Sequence, residues 1–496
     1  MADIYFSDYF SVPPEAIREY GAFNVSLIND LPLFIDPFLL FNSKNETYQQ
    51  LHDRIISYMR FLKEVSLAGE LPIPLMREWF TFPEVKQNWL GFSIAGNEGR
   101  GLGMDFARAL YRNLRNVFSD FGNEVVTRSS HLEKLCLISD GVGRDNISDF
   151  TTNLIKEYLC DYTQTLALKY LDSSQRRRVT LRKVRFDYST RSWATESFEL
   201  PFVHLEEPYP HDDFVLLTPK DILTKDEAWI NRPELLDRFP EIAYALPDDT
   251  LRAQINDYLL RAIPRGPKVS KKDVKEAMKR AVELFPQVLD YYIRDKEDSG
   301  DRATSYAEER VREAEAIFVD QLRVLVSNFL EPEGFYRLPY NTHEEALQRV
   351  MFIKDIIENK GGYRIFYVKG VPLQRETDLQ ILYRLTWFAA TPDVTREAND
   401  GRGPADFKVS RGASDKTIIE FKLAKNTQLE RNLQNQCKAY EAASDTTHPS
   451  IKVVLYFNDL ELEKVHRILR RLGLEHDQNI VLIDACDSNK PSGSRA

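Results

Sequence analysis

The order in which hydrophobic periodicity changes along the last quarter of the chain limits its fold more than any other feature. Arg375 to Ala390 carries apolar residues at the three-and-four spacing of a helix. Three short segments follow with the two-residue alternation and β-branched content of strands: Val394–Glu397, Ala405–Ser410 and Thr417–Ala424. A helix is then predicted over Leu429–Ala443, a strand over Ile451–Phe457, a helix over Glu461–Leu472 and a strand over Ile480–Asp484. The order from Arg375 is therefore α-β-β-β-α-β with one further αβ unit, which gives the region an α/β character. Another helix, Thr342–Lys360, is predicted ahead of it.

The rest of the chain is organised differently. Helical spacing runs through Tyr48–Leu67, Met104–Phe118 and Ile147–Tyr170. Between about 178 and 217 the period shortens to two, and three strands are predicted. Helices return from about 218 to 330. A chain of 496 residues holds about three domains at roughly 150 residues each. The expected division is a mainly helical region 1–175, a strand segment followed by helices at 176–330, an α/β domain at 331–487 and a flexible tail at 488–496. The middle region is the expected place for sensing or nucleic-acid binding. The fold class is multidomain α+β.

With 43% hydrophobic and 11% aromatic residues, pervasive disorder is excluded. No apolar run approaches the roughly 20 residues that span a bilayer, and the opening MADIYFSDYF has no secretory pattern. A cytoplasmic protein without a membrane partner is expected. Cys136, Cys160, Cys437 and Cys486 show no ligand-pair spacing and read as small buried hydrophobes. His211, beside Asp212 and Asp213 in a Pro-rich stretch, reads as a solvated turn. Net charge is −10, which argues against a nucleic-acid coat protein but leaves room for a local basic groove.

Chemistry concentrates in the α/β region. Asp406 lies on one predicted strand, and Glu420 and Lys422 lie on the next. Alternation puts Glu420 and Lys422 on one face with Ile418, and Ile419, Phe421 and Leu423 in an apolar row opposite. A loop containing Gly412, Ala413 and Ser414 returns the second strand antiparallel, beside Asp406. Two adjacent carboxylates need a compensating cation, and hard oxygen ligands favour Mg²⁺ or Mn²⁺. A lysine beside them helps to hold the cluster and to orient or deprotonate a water, the kit for metal-assisted phosphodiester hydrolysis.

The stretch GRGPAD ending at Asp406, followed by IEFK at Ile419–Lys422, resembles the PD-(D/E)XK restriction-endonuclease-like nuclease superfamily. The predicted αβββαβ order is similar to that superfamily's core. The resemblance covers roughly 342–487, with an alanine inserted in the Pro404-Ala405-Asp406 motif. It implies that Asp406, Glu420 and the main-chain carbonyl of Phe421 hold the metal and that Lys422 is the catalytic lysine. Glu376 fits the additional glutamate that many members place on the preceding helix, and Glu397 on the first strand is its competitor. Gln436 and Tyr440 are similar to the QxxxY element that supports the active site in recombination-type members. The implied activity is hydrolysis of a nucleic acid, DNA favoured over RNA, with metal-dependent release of a 5′ phosphate. A large unassigned region fused to such a nuclease resembles prokaryotic (anti-phage) defence effectors and modification-dependent restriction enzymes. It implies homodimers or higher oligomers, or a partner defence protein. The competing expectation is an idle nuclease fold that binds nucleic acid or assembles with a partner.

Weaker signals remain open. The stripe Ala307, Val311, Ala314, Phe318, Leu322, Leu325 and Phe329 fits an internal core or a dimer seam. The loop Gly96–Gly103 before a helix fits a surface turn or a phosphate cradle. Asp145 or Asn146 fits a helix N-cap. Two basic clusters, Arg176–Arg185 and Lys268–Arg280, fit solvated faces or a phosphate-tracking surface.

Overall fold

The computed structural model describes residues 5–490 except 29, 92–100, 117–120, 139–142, 206–210, 226, 264–270, 322–340, 369, 373–375, 388–392, 399–404, 412–414 and 437–447. They form a mixed α+β protein with several small sheets and one of five strands. Among the described residues no helix is long and apolar enough to cross a membrane.

The N-terminal half is built on helices around short strands. After strand β1 (Leu33–Ile35), helix α1 (Glu46–Leu67) buries Leu51, Ile55, Met59 and Leu62, one stripe of a helical face. Asn45 starts it by accepting the Thr47 N–H at 3.0 Å. Helix α2 is Met104–Asn116. The single helix expected over Ile147–Tyr170 is two, Arg144–Leu154 and α3 (Lys156–Tyr170). Near the break, Asn153 donates to the carbonyls of Pro83 and Asp149, and such side-chain bonds compete with regular helix. The N-cap is Gly143, not Asp145 or Asn146 as expected; both lie inside the first turn, where Asn146 at the third helical position accepts the Gly143 N–H at 2.9 Å.

The three strands expected near 178–217 are present. β2 (Arg176–Leu181), β3 (Glu196–Leu205) and β4 (His211–Phe214) form an antiparallel sheet. His211–Asp213 is thus strand and not a turn. Asp212 pairs with Arg177 and His204, and Asp213 accepts from Gln87 at 2.8 Å. β5 (Leu223–Lys225) pairs antiparallel with β1, setting Lys225 opposite Leu33. That pairing joins the chain before 176 to the chain after it, and α3 packs on β3.

Helix α4 (Gly300–Glu315) puts Ala307, Val311 and Ala314 into the same core, and Phe318 follows them in the π turns beyond. These four residues are spent on the chain's own interior, so they do not form a dimer seam. Leu322, Leu325 and Phe329 lie outside the described residues. A buried polar cluster braces the helix Val288–Asp298: Glu297 meets His131 at 2.9 Å, and Asp290 meets Lys134 at 2.6 Å. Cys136, Cys160 and Cys486 are buried free thiols, and Cys437 is outside the described residues.

The basic clusters are partly committed. Lys183 donates to the carbonyls of Arg77, Glu78 and Thr81. Arg185 pairs with Glu157 and Glu196, Arg177 lies over the Phe202 ring, and Lys275 pairs with Asp237.

Of the glycine-rich loop, the described part shows why glycine is needed at Gly101. Its φ is +59°, and a Cβ there would lie 2.5 Å from the Glu84 nitrogen and 2.8 Å from the Phe82 carbonyl oxygen. Both are main-chain atoms of the segment bridged to Leu102. Gly101→Ala is expected to cost roughly 3 kcal/mol through backbone strain and overpacking. Urea unfolding checks it, and an unchanged midpoint would contradict the strain.

The C-terminal part follows the predicted order of strands and flanking helices, while of the helix expected over Leu429–Ala443 only a turn at Leu429–Arg431 and π turns to Gln436 lie within the described residues. Helices α5 (Thr342–Asn359) and α6 (Thr377–Leu385) precede strands β6 (Asp393–Ala398), β7 (Ala405–Arg411) and β8 (Asp415–Leu423). β9 (Ile451–Tyr456), α7 (Asp459–Leu472) and β10 (Ile480–Asp484) complete it. The sheet order is β6-β7-β8-β9-β10, antiparallel across the first three strands and parallel across the last three. Helix α5 is seated on β8 by Thr342, whose hydroxyl meets Asp415 at 2.7 Å and Thr417 at 2.8 Å. Ile419, Phe421, Leu423, Val453 and Leu455 join the large core, while Val454 packs with Val465, Ile468 and Leu469 of α7. Each such fully buried side chain contributes roughly 1.5–3 kcal/mol. β8 is therefore the central strand, buried on both faces.

Candidate active site

The antiparallel register of β7 and β8 sets Phe407 opposite Ile419, which brings Asp406 alongside Glu420. Helix α6 holds both strands from the apolar side. The Tyr383 ring sits edge-on to Phe407 and Phe421, with centroids 5.2 and 5.1 Å away. With Phe407 and Phe421 fixed towards α6, alternation turns Asp406, Glu420 and Lys422 to the opposite face.

Here the strands stop exchanging regular ladder bonds, and side chains take over. Asp406 Oδ2 accepts the Phe421 N–H at 2.7 Å, and Glu420 Oε1 accepts the Asp406 N–H at 3.3 Å. The Lys422 ammonium donates to Glu420 Oε2 at 2.7 Å and to Asp406 Oδ2 at 3.3 Å. The cation thus lies between two carboxylates on adjacent strands. Glu376, the residue that opens α6, accepts the Leu423 N–H at 3.1 Å and joins the end of the same strand. Four of the six side chains expected at the site are brought together: Asp406, Glu420, Lys422 and Glu376.

The others lie outside what is described. Gln436 falls in the π turns Asn432–Gln436, after a helical turn at Leu429–Arg431, and its side chain is undescribed. Tyr440 is among the undescribed residues. The backbone of Glu397 stands beside that of Asp406, between the pairs Arg396–Phe407 and Ala398–Ala405, but its side chain is also undescribed.

Burial governs the electrostatics. Glu420 is 2% exposed and Lys422 8% exposed. Burial first, then the neighbouring Asp406 charge, push the Glu420 carboxyl up to about 7, against the pull of Lys422. Burial opposes the Lys422 charge, but Asp406 and Glu420 outweigh it and hold the ammonium above the ordinary lysine range. Burial also raises Glu376, with Lys422 working the other way. Lys422 is consequently a charged donor, suited to orienting a water or phosphate oxygen and unsuited to removing a proton.

A stability effect follows from Glu420. It binds its proton more tightly folded than unfolded, so its contribution is full below its ordinary value of 4.5 and is lost as pH rises through about 7. Metal-free protein should lose stability between pH 5 and pH 8, and Glu420→Gln should flatten that slope. Urea titrations across this range check it; parallel slopes in the two proteins would contradict the assignment.

Sequence reasoning missed the residues that pin the turn after β8. Asn426 lies close enough to the Glu376 carboxyl to favour its charged form. Lys464 of α7 donates to the carbonyls of Ala424 and Asn426 at 2.7 and 2.8 Å. Neither residue stands in a pattern that sequence alone distinguishes from a solvated turn or helix face.

Asp406, Glu420, Glu376 and the Phe421 carbonyl form a set of hard oxygen donors, and a buried carboxylate pair short of positive charge suits a divalent cation in kind. Among the described residues, however, no three His, Cys, Asp or Glu side chains close to metal-holding distance. The Lys422 ammonium supplies the counter-charge to Asp406 and Glu420 in this arrangement.

Comparison with known proteins finds two family matches. Residues 342–459, which include Glu376, Asp406, Glu420 and Lys422, match a domain of unknown function (DUF8371). No curated protein and no solved structure matches the chain. Residues 11–231 match a second domain of unknown function (DUF8370).

Proposed function

We propose that the chain is a metal-dependent nuclease with a restriction-endonuclease-like C-terminal core that hydrolyses phosphodiester bonds, DNA being the favoured substrate. The observation that carries this reading is the Lys422 ammonium held between Asp406 and Glu420 at the point where β7 and β8 part. A Mg²⁺ or Mn²⁺ ion held by Asp406, Glu420, the Phe421 carbonyl and Glu376 would supply Lewis-acid polarisation of the scissile phosphate and acidify a bound water. Lys422 keeps its proton and orients the attacking oxygen by donating to it. Asp406 orders the site from within by accepting the Phe421 N–H, which aims the adjacent carbonyl region of β8. Glu376 performs the same service for Leu423. The N-terminal half serves recognition or regulation, in the manner of a defence or restriction effector.

A second reading has its own support. Lys422 already pairs with both carboxylates at 2.7 and 3.3 Å, so the cluster also has a counter-ion as an idle site in a binding or assembly module. Calorimetric titration of Mn²⁺ separates the two. Binding by the wild type that disappears in Asp406→Asn supports the enzyme; equal binding, or none in either protein, supports the module.

A further inference from the structure

Among the described residues, a buried ion pair ties the chain ahead of the site to the helix that opens it. Lys225 ends β5, the strand that pairs with β1, and is fully buried. Its ammonium donates to Asp378 Oδ2 at 2.8 Å and to the Ile365 carbonyl at 2.8 Å. Asp378, 4% exposed, is the second residue of α6. Two residues before it stands Glu376, which accepts the Leu423 N–H beside Lys422. Helix α4 reinforces the same junction: it packs on β5, and Arg310 donates to the Arg364 carbonyl at 3.2 Å while pairing with Glu313 at 2.7 Å. The two matched segments, 11–231 and 342–459, thus meet at Lys225 and Asp378.

Such a pair does more than hold surfaces together. Apolar contacts tolerate sliding, whereas a buried lysine held by directional bonds to a carboxylate and a main-chain carbonyl defines one position for the start of α6. A helix start displaced by an ångström carries the Glu376 carboxylate with it and releases the Leu423 amide. We propose that Lys225 is a positioning residue that acts through Asp378 to set Glu376 against the end of β8, making the geometry of the site depend on the β1–β5 sheet. This rests on the nuclease reading for its functional meaning, but the coupling itself is structural. A ligand that shifts β5 in the N-terminal half then alters the site without touching it.

Amide hydrogen exchange on the full chain tests the coupling without metal or substrate. The proteins are wild type, Lys225→Met, Asp378→Asn and the apolar pair Lys225→Met/Asp378→Leu, which keeps the interior filled without stranding a charge. The readout is the exchange rate of the Leu423 amide, in a peptide spanning 420–424, against a reference peptide in β9 spanning 453–456. Exchange about tenfold faster at Leu423 in both single variants and in the apolar pair, with β9 unchanged, supports the proposal. Unchanged exchange at Leu423 in the single variants overturns it. So does wild-type protection restored in the apolar pair, since packing alone would then place α6. Failure of the nuclease reading shows elsewhere, as Mn²⁺ binding indifferent to Asp406→Asn, and leaves the exchange result standing.

Discussion

On the nuclease reading, Lys422→Ala should lower cleavage by roughly a hundred- to a thousandfold, the usual effect of losing a charged donor at a reacting group. It should also destabilise the fold at neutral pH, which a solvated catalytic lysine would not do. The ammonium sits 2.7 Å from Glu420 Oε2 and 3.3 Å from Asp406 Oδ2, and the Glu420 side chain is 2% exposed. Removing one partner of a buried pair costs about 3–5 kcal/mol because the remaining charge has no counter-ion. Proton uptake offers a partial escape, since the Glu420 carboxyl already lies near 7. The loss should accordingly be smaller at pH 6 than at pH 8. On the nuclease reading, Mn²⁺ should restore more stability to Lys422→Ala than to the wild type, because the ion replaces the missing charge. Urea unfolding at both pH values, with and without Mn²⁺, checks each part. A variant as stable as the wild type at pH 8 would contradict the picture of Lys422 as the counter-ion.

Asp406→Asn is expected to remove divalent-metal binding and cleavage while keeping the fold. Asparagine retains an oxygen that can accept the Phe421 N–H, the bond made at 2.7 Å in the native chain. It lacks the negative charge that gives a carboxylate its strong hold on a hard cation. It also relieves the charge that raises Glu420, so the Glu420 carboxyl should titrate lower than about 7 in this variant. Asp406→Ala is the harsher change, since it also leaves the Phe421 amide without its acceptor, a cost of about 1–3 kcal/mol for a buried donor. Asn below wild type in metal affinity and Ala below Asn in stability is the expected ranking. Equal metal affinity in Asp406→Asn and wild type would remove Asp406 from the ligand set.

Much of the C-terminal half was legible because its signals are local. The row Ile419, Phe421, Leu423 against Ile418, Glu420, Lys422 announces a strand by alternation, and a short loop leaves Asp406 little choice but to lie near Glu420. What alternation cannot report is the other side of the sheet. Glu420 and Lys422 share one face of β8 by alternation, yet both are buried, and the Lys422 ammonium is paired with Asp406 and Glu420. The pairing of β1 with β5 was illegible for a different reason. Three residues carry almost no periodicity, and Leu33 and Lys225 meet only because tertiary packing brings them together. Nothing in the sequence pattern sets Lys225 and Asp378 apart from solvated charges. The helical stripe through Ala307 and Val311 was visible, but only the fold shows that the chain's own core takes it up.

The nuclease reading is tested most directly by cleavage itself. Purified wild-type protein and Asp406→Asn are incubated with supercoiled plasmid, linear duplex, single-stranded DNA and RNA, each with Mg²⁺, Mn²⁺ or EDTA. The account predicts metal-dependent cutting by the wild type, DNA ahead of RNA, that stops in EDTA and in Asp406→Asn. Cutting that persists in EDTA or in Asp406→Asn would contradict it, as would a wild type that cuts none of the four substrates and binds no Mn²⁺.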